Sequence, residues 1–317
     1  MLLGNHATGL GSKYSQNNHI NSNNFSYNIM VHGGKMRTIY NDLNQAFVYS
    51  LKDLHEDGSI VCSRGSKQKE IINHNICILD PTALSIEPKA RKFNPDYATS
   101  EWLWYLSQSR SAKNIGKMAG VWKEIADGRE EVESNYGTYI FEQWNWIMNE
   151  LLKDNDSRRA TIAINQPFHK YSNPKDYPCT QYLQFLIRDN KLHMIANMRS
   201  NDAIYGFCND VFAFSLFQQL MLNDINWHLK DDEKLELGHY YHHAGSFHIY
   251  EKHWPMMEKI LSNYLPNFTQ GNLKKYKLKS NVCGNLGRYM LPEEDMTKEQ
   301  IKEFTQKIAE RIYVQHP

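Results

Sequence analysis

The chain is 317 residues long, with 36 Lys and Arg against 35 Asp and Glu, and is 41% hydrophobic and 12% aromatic. That is enough apolar material for one large core or two small ones, and it excludes a chain disordered along most of its length. A net charge of +1 argues against a dedicated nucleic-acid binder, which carries a basic surplus. No apolar run reaches the roughly 18–20 residues of a membrane span; the best, Val211 to Leu222, is interrupted by Ser215, Gln218 and Gln219.

Residues 1–35 are rich in Asn, Ser, Gly and His, and Met36 offers an internal start. They read as a poorly ordered leader without a signal-peptide apolar stretch, followed by one domain over 36–317. The five cysteines (Cys62, Cys77, Cys179, Cys208, Cys283) are odd in number and contain no CxxC pair. Neither a structural zinc site nor a disulfide framework is expected, and a reducing cytoplasm is the default setting.

In chain order, Tyr40 to Leu54 carries apolar residues at helical spacing (Leu43, Ala46, Phe47, Leu51, Leu54) and stops at Asp57-Gly58. Ile76 to Leu79 reads as a short strand before Pro81. Thr99 or Ser100 can cap a helix carrying Glu101, Trp102 and Tyr105; Ile115 to Ala126 and Thr138 to Leu152 are further helices. The period then changes. Ala160 to Ile164 alternates as a strand, and Gln181 to Arg188 with Lys191 to Met198 forms a hairpin about Asp189-Asn190. Asn209 to Trp227 is helical, Gly238 to Tyr250 a strand, Glu251 to Tyr264 helical, and the polar Leu265 to Asn281 a surface excursion. Helices among hairpins predict a mixed α/β (α+β) layer structure, not a doubly wound parallel sheet.

Candidate chemistry starts with Cys179 in Tyr177-Pro178-Cys179-Thr180, by itself a small buried hydrophobe as readily as a nucleophile. Arg158-Arg159 reads as a solvated turn or as two guanidinium forks for a phosphate, and Arg199-Ser200 adds a third fork beside a hydroxyl. His239, His242, His243, His248 and His253 invite a metal, but their spacing on a strand gives poor ligand geometry, and no metal is expected. Glu101 is a surface carboxylate unless its helix lines a cleft.

Taken together, Glu101-Trp102-Leu103-Trp104, Asp156-Ser157-Arg158-Arg159, Pro178-Cys179, Arg199-Ser200-Asn201-Asp202, Gly206 and His248-Ile249-Tyr250 resemble, in order and spacing, the thymidylate synthase and deoxycytidylate hydroxymethylase family. The resemblance spans roughly Met36 to Trp254, is densest from Asp156 onward, and is strongest to the phage-type hydroxymethylases. It implies a single catalytic domain with a mixed sheet that packs against the same sheet of a twin. The homodimer would share its active sites.

The resemblance makes Cys179 the nucleophile that adds to carbon 6 of a pyrimidine nucleotide, with nearby arginines lowering its thiol pKa. The co-substrate is 5,10-methylenetetrahydrofolate, which carries the one-carbon chemistry. Arg158 and Arg159 would reach the partner subunit's phosphate; Arg199, Ser200 and the mobile Arg64 would hold it from within the subunit. Glu101 would relay protons, His248 and Tyr250 would bind the sugar hydroxyl, and Tyr136 would lie near the nucleophile. Trp122 and Asp202 would line the folate side.

Asp210, eleven residues beyond Arg199, stands where thymidylate synthases carry Asn. An amide donates to oxygen 4 of uracil; a carboxylate accepts from the amino group of cytosine. The expected nucleotide is therefore dCMP. Thr180 replaces the synthases' usual His after the nucleophile, and Ile125 their second folate-side Trp. The end, Tyr313-Val314-Gln315-His316-Pro317, does not resemble their apolar closing tail. These departures imply water, not hydride, as the final reactant, giving 5-hydroxymethyl-dCMP. The alternatives are methylation of dCMP or dUMP, and a non-catalytic relative that binds nucleotide or RNA.

Overall fold

The computed structural model of the chain describes residues 28–32, 35–264, 273–284 and 286–314. Among them, nine strands build one sheet. Its main path runs β1 (Asn28–His32), β2 (Lys35–Tyr40), β4 (Ser66–Ile78), β9 (Glu236–Tyr250), β7 (Lys191–Met198), β6 (Thr180–Arg188), β5 (Thr161–Ala163). Off this path, β3 (Ser59–Ser63) pairs with β4 and β8 (Asn201–Asp202) with β9. The pairs β2–β4, β7–β9 and β8–β9 are parallel and the others antiparallel, so the sheet is mixed, as expected.

The helices α1 (Leu43–Asp57), α2 (Pro95–Ser107), α5 (Tyr136–Lys153) and α6 (Phe207–His228) form around the core. Asp42 caps α1 by accepting from the Gln45 N–H. Phe212, Phe214, Leu216, Phe217 and Leu220 of α6 are fully buried, as a helix apolar on every side must be. Where α2 meets α5, a Cβ on Gly137 would stand 1.7 Å from the Tyr105 carbonyl oxygen. Only glycine permits that approach, and it brings Tyr136 face to face with Tyr105 at 5.5 Å.

Several expected elements change. The strand expected at 76–79 is the end of the 13-residue β4. The helix carrying Glu101 starts earlier than expected, capped by Asn94, with Thr99 and Ser100 buried inside it. The segment 115–126 splits into α3 (Ile115–Met118) and α4 (Val121–Ala126), broken at Ala119-Gly120. In the expected surface excursion, Tyr276 and Leu278 are buried, Leu278 bridging to Tyr313 beyond α8 (Lys298–Ile312); residues 265–272 lie outside the described residues. Within the expected leader, Asn28–His32 pairs with Lys35–Ile39, so its end is strand, while 1–27 lie outside the described residues. The remaining helix, α7 (Trp254–Tyr264), follows a short 3-10 turn at Glu251–His253.

The sheet is irregular where function is expected. In β9 the buried positions run Tyr240, His242, Ala244 and then shift phase to Phe247 and Ile249. Asn73 of β4 and Gly245 interrupt the ladder there without shifting the register on either side, and Asn73 has φ of 61°. β6 carries a further irregularity between Thr180 and Tyr182. Such irregularities re-aim side chains and end regular pairing.

Candidate active site

Cys179 lies immediately before β6, half-buried, and its backbone N–H donates to Tyr136 Oη at 3.2 Å. Arg199 follows β7, its N–H donating to the Cys179 carbonyl at 2.9 Å. Its guanidinium donates from Nε to Pro178 O at 3.0 Å and from Nη2 to Tyr177 O at 2.8 Å, and lies over the Tyr177 ring. Nη2 is also 3.7 Å from Cys179 Sγ. One arginine therefore holds both the loop and the thiol.

Burial pushes the Cys179 thiol up; Arg199 and Arg64 pull it down, while Asp210 and Asp202 push it further up. The expectation that the arginines set a lowered thiol pKa is thus corrected: desolvation and two carboxylates outweigh them. Arg64 sits at the exposed tip of the β3–β4 hairpin, with φ of 48° before Gly65 at 77°, a type I′ pattern. Its charge reaches both Cys179 and Tyr250. Ser200 is half-buried between β7 and β8.

Asp210 enters from the first turn of α6, its Oδ2 accepting from Asn201 Nδ2 at 2.7 Å. Burial pushes it up to about 7, opposed by that hydrogen bond and reinforced by Asp202. Glu101 faces it from α2. Burial, then the Asp210 charge, push Glu101 up to about 8, against the hydroxyls of Tyr105 and Tyr97. Tyr105 donates to Oε1 at 3.3 Å, and Oε2 is buried without a hydrogen-bond partner. Trp122 extends the same wall: its indole N–H donates to Tyr97 Oη at 3.0 Å, and its ring meets Trp104 edge-on.

His248 and Tyr250, beyond the phase shift of β9, stand edge to face at 5.2 Å. Burial holds the His248 ring down, against Asp202 as the next influence, and its Nδ1 has no hydrogen-bond partner. Burial also raises Tyr250, with Asp202 and Cys179 adding to it. Asp202 accepts from the Ile204 and Tyr205 N–H groups at 3.0 and 3.3 Å.

The fold thus brings Cys179, Arg199, Arg64, Asp210, Asp202, Glu101, Tyr136, His248 and Tyr250 into one electrostatically linked cluster, with Trp122 joined to it through Tyr97. Arg158 and Arg159 are exposed and outside it. Arg159 pairs with Glu150 at 3.0 Å and lies over Trp146. Sequence reasoning missed Tyr97 and Tyr240, and it weighed His242 only as a metal ligand, set that aside on spacing, and gave it no other role. A polar residue at a core-facing strand position, as at Tyr240 and His242, was the available signal, because a buried polar group needs a partner. Among the described residues, no group of three His, Cys, Asp or Glu side chains could hold a metal ion, and no helix is long and apolar enough to cross a membrane.

The thymidylate synthase family profile matches residues 88–289, and the chain belongs to that family. It is an enzyme of the one-carbon transferase type, and the family uses methylenetetrahydrofolate as co-substrate. Among relatives, the chain is 29% identical to the deoxycytidylate 5-hydroxymethyltransferase of Enterobacteria phage T4, over 65% of this chain and 85% of that protein. It is 27% identical to the deoxyuridylate hydroxymethyltransferase of Bacillus phage SP01, over 69% of this chain and 58% of that protein. Thermostable thymidylate synthase A from Bacillus subtilis shares the fold with a TM-score of 0.57 at 19% identity, covering 68% of this chain and 84% of that one.

Proposed function

We propose that this chain transfers the one-carbon unit of methylenetetrahydrofolate to carbon 5 of dCMP and adds water, giving 5-hydroxymethyl-dCMP. The observation that carries this reading is Asp210, a carboxylate within electrostatic reach of the Cys179 thiol and with one oxygen already accepting from Asn201. Such a group pairs with the amino group of cytosine and sets lone pair against lone pair at oxygen 4 of uracil. The T4 phage relative acts on deoxycytidylate by its name, which supports the same substrate.

In this reading the Cys179 thiolate adds to carbon 6, making carbon 5 nucleophilic. Arg199, placed against Sγ, favours the thiolate. Arg199, Ser200 and Arg64 bind the phosphate, and His248 with Tyr250 the sugar hydroxyl. Glu101, raised toward neutrality, can hold or release a proton at working pH, as general acid–base catalysis requires. Methylenetetrahydrofolate supplies the carbon unit. The Asp202 carboxylate and the Trp122 indole fit its pterin, which offers N–H donors and a flat face. Both adjoin the pocket through shared neighbours: Asp202 acts on Asp210, and Trp122 bonds Tyr97, which Asp210 also reaches. Loss of the carbon-5 proton and departure of tetrahydrofolate leave an exocyclic methylene on the base; water adds to it, and departure of the Cys179 thiolate restores the ring.

The proposed assembly is a homodimer formed through the sheet, with Arg158 and Arg159 reaching the partner's phosphate. Its support is the sheet face opposite the helices, where His193, Ile195, Tyr241 and His243 are half-buried and Ile72 is 77% exposed. The expected setting is the cytoplasm, with no membrane or nucleic-acid partner.

A second reading is hydroxymethylation of dUMP. It is favoured by the SP01 phage relative and by the raised Asp210, which when protonated can donate to oxygen 4. Incubation with methylenetetrahydrofolate and dCMP or dUMP, followed by mass analysis, separates the readings. A hydroxymethyl gain on dCMP supports the proposal. A gain on dUMP alone supports the second reading, and a methyl gain with dihydrofolate released overturns both.

A further inference from the structure

Behind Asp210 lies a line of buried polar groups that the mechanism above does not use. Asn201, His242 and Tyr240 are 2%, 1% and 0% exposed. Tyr240 Oη is 3.0 Å from His242 Nδ1, His242 Nε2 is 3.0 Å from Asn201 Oδ1, and Asn201 Nδ2 donates to Asp210 Oδ2 at 2.7 Å. Phe207 stands edge-on against the imidazole at 5.2 Å and closes its side.

Chemistry gives this chain one direction. Burial, with His74 and His243 adding to it, holds His242 down to about 3, so the ring is neutral and carries one N–H. An ionised Asp210 can only accept, so the amide group of Asn201 that faces it must be the NH2. The Asn201 carbonyl then faces His242 and accepts from Nε2–H. The remaining nitrogen, Nδ1, has a lone pair and accepts from the Tyr240 hydroxyl. Every donor in the line points toward Asp210. Reversal at any link would bury an unmatched pair of acceptors or donors, which proteins avoid.

We propose that Tyr240, His242 and Asn201 are positioning residues that hold Asp210 Oδ2 as an acceptor, keep any proton of that carboxyl on Oδ1 toward the pocket, and thereby set the preference between cytosine and uracil. The inference rests on the reading of Asp210 as the base-facing group. With Oδ2 held as an acceptor, the ionised carboxyl offers a lone pair to the cytosine amino group. The protonated carboxyl offers a hydrogen at the same place to oxygen 4 of uracil. Without the line, Asp210 loses the donor that draws its pKa down, and the proton can occupy either oxygen.

The titratable groups around Asp210 are Glu101, Tyr97 and Tyr105 of α2, Tyr136 of α5, Cys179, Asp202 of β8, Cys208 of α6 and Tyr240 of β9, all within its electrostatic reach. Those facing His242 are His74 of β4 and His243 of β9. Because these stay in place in the His242 variants below, a shift in their pH profile reports on the line itself.

The test compares His242→Leu, which breaks the line, with His242→Gln, whose amide can accept from Tyr240 and donate to Asn201. The readouts are kcat/KM for dCMP and dUMP and the acid limb of dCMP affinity by calorimetry. His242→Leu is expected to lower the dCMP:dUMP ratio by about tenfold or more, with the acid limb moved up by about one pH unit. His242→Gln is expected to stay within about threefold of the parent. A ratio and limb unchanged in His242→Leu, or damage in His242→Gln equal to that in His242→Leu, overturns the proposal.

If His242→Leu does not fold, Tyr240→Phe decides, since it removes one donor and keeps the ring. A ratio within about twofold of the parent then counts against the line. Asp210→Asn is measured alongside. Retained dCMP preference in that variant removes the base-facing reading, while the acid-limb comparison still decides whether the line controls the carboxyl.

Discussion

Arg199 Nη2 lies 3.7 Å from Cys179 Sγ while donating to Tyr177 O at 2.8 Å, so the guanidinium that favours the thiolate also anchors the loop presenting it. Lysine can supply the charge but not the fork, whose Nε bonds Pro178 O at the same time. Arg199→Lys is therefore expected to raise the midpoint of thiol alkylation against pH by about one unit and lower kcat about a hundredfold. Iodoacetamide rates across pH measure the first, and an unchanged midpoint would show that the arginine acts on the phosphate alone.

In the proposed reading, nucleotide choice turns on Asp210. Asp210→Asn replaces an acceptor-only group with one that can donate to oxygen 4. The ratio of kcat/KM for dCMP over dUMP is expected to fall by about 10²–10⁴. In the parent chain the ratio should rise with pH through about 7, where Asp210 loses its proton. A ratio flat between pH 6 and 8 would mean that Asp210 does not touch the base.

The same carboxyls make stability fall with alkalinity. The folded pKa of Glu101 is about 8 and of Asp210 about 7, both above the usual carboxylate range. Across that window the folded chain holds protons that the unfolded chain has released, so raising pH favours unfolding. His242 has the opposite sign, because its folded value of about 3 lies below the usual imidazole value. Its contribution is complete once pH exceeds roughly 6.5. Between pH 6.5 and 8 the two carboxyls therefore dominate among these three, each costing up to about 1 kcal/mol per pH unit. Thermal melts of Glu101→Gln should show a higher midpoint than the parent at pH 8 and a flatter profile. A parent profile that rises from pH 6.5 to 8 would contradict this.

The two arginines outside the pocket test the proposed sharing of sites. Arg159 is held by Glu150 in its own chain and stands on an exposed turn. If it serves a partner subunit, an Arg158→Ala, Arg159→Ala double variant and a Cys179→Ala variant should each be nearly inactive. Mixing and reassociation should restore up to about a quarter of parent activity, since half the dimers pair the two and each holds one intact site. Mixtures as inactive as their parts would mean that the arginines act within their own subunit and not across the interface.

Much of the architecture could be read from residue order because it rests on local rules. The Asp189-Asn190 turn, both residues at positive φ, joins two alternating strands as their pattern predicts. The buried helix over Phe207–His228 follows from an apolar run with few breaks. What was harder to read depends on distant partners. The cap at Asn94 and the burial of Tyr276 and Leu278 give no periodic mark, because their packing surfaces come from elsewhere in the chain.

The sequence by itself determined which groups were available: a thiol at 179, forks at 199 and 64, carboxyls at 101 and 210, and an order of motifs that marks one family. Tertiary structure decided their states. Folding carries Glu101 and Asp210 out of water into one pocket, so both bind protons near neutrality; it sets desolvation above the arginines at Cys179. It also shifts the phase of β9 and makes His242, a strand histidine poorly spaced for a metal, a neutral link behind a carboxylate. Composition cannot encode these outcomes, because desolvation and hydrogen-bond direction depend on what lies within a few ångströms and not on what lies nearby in the chain.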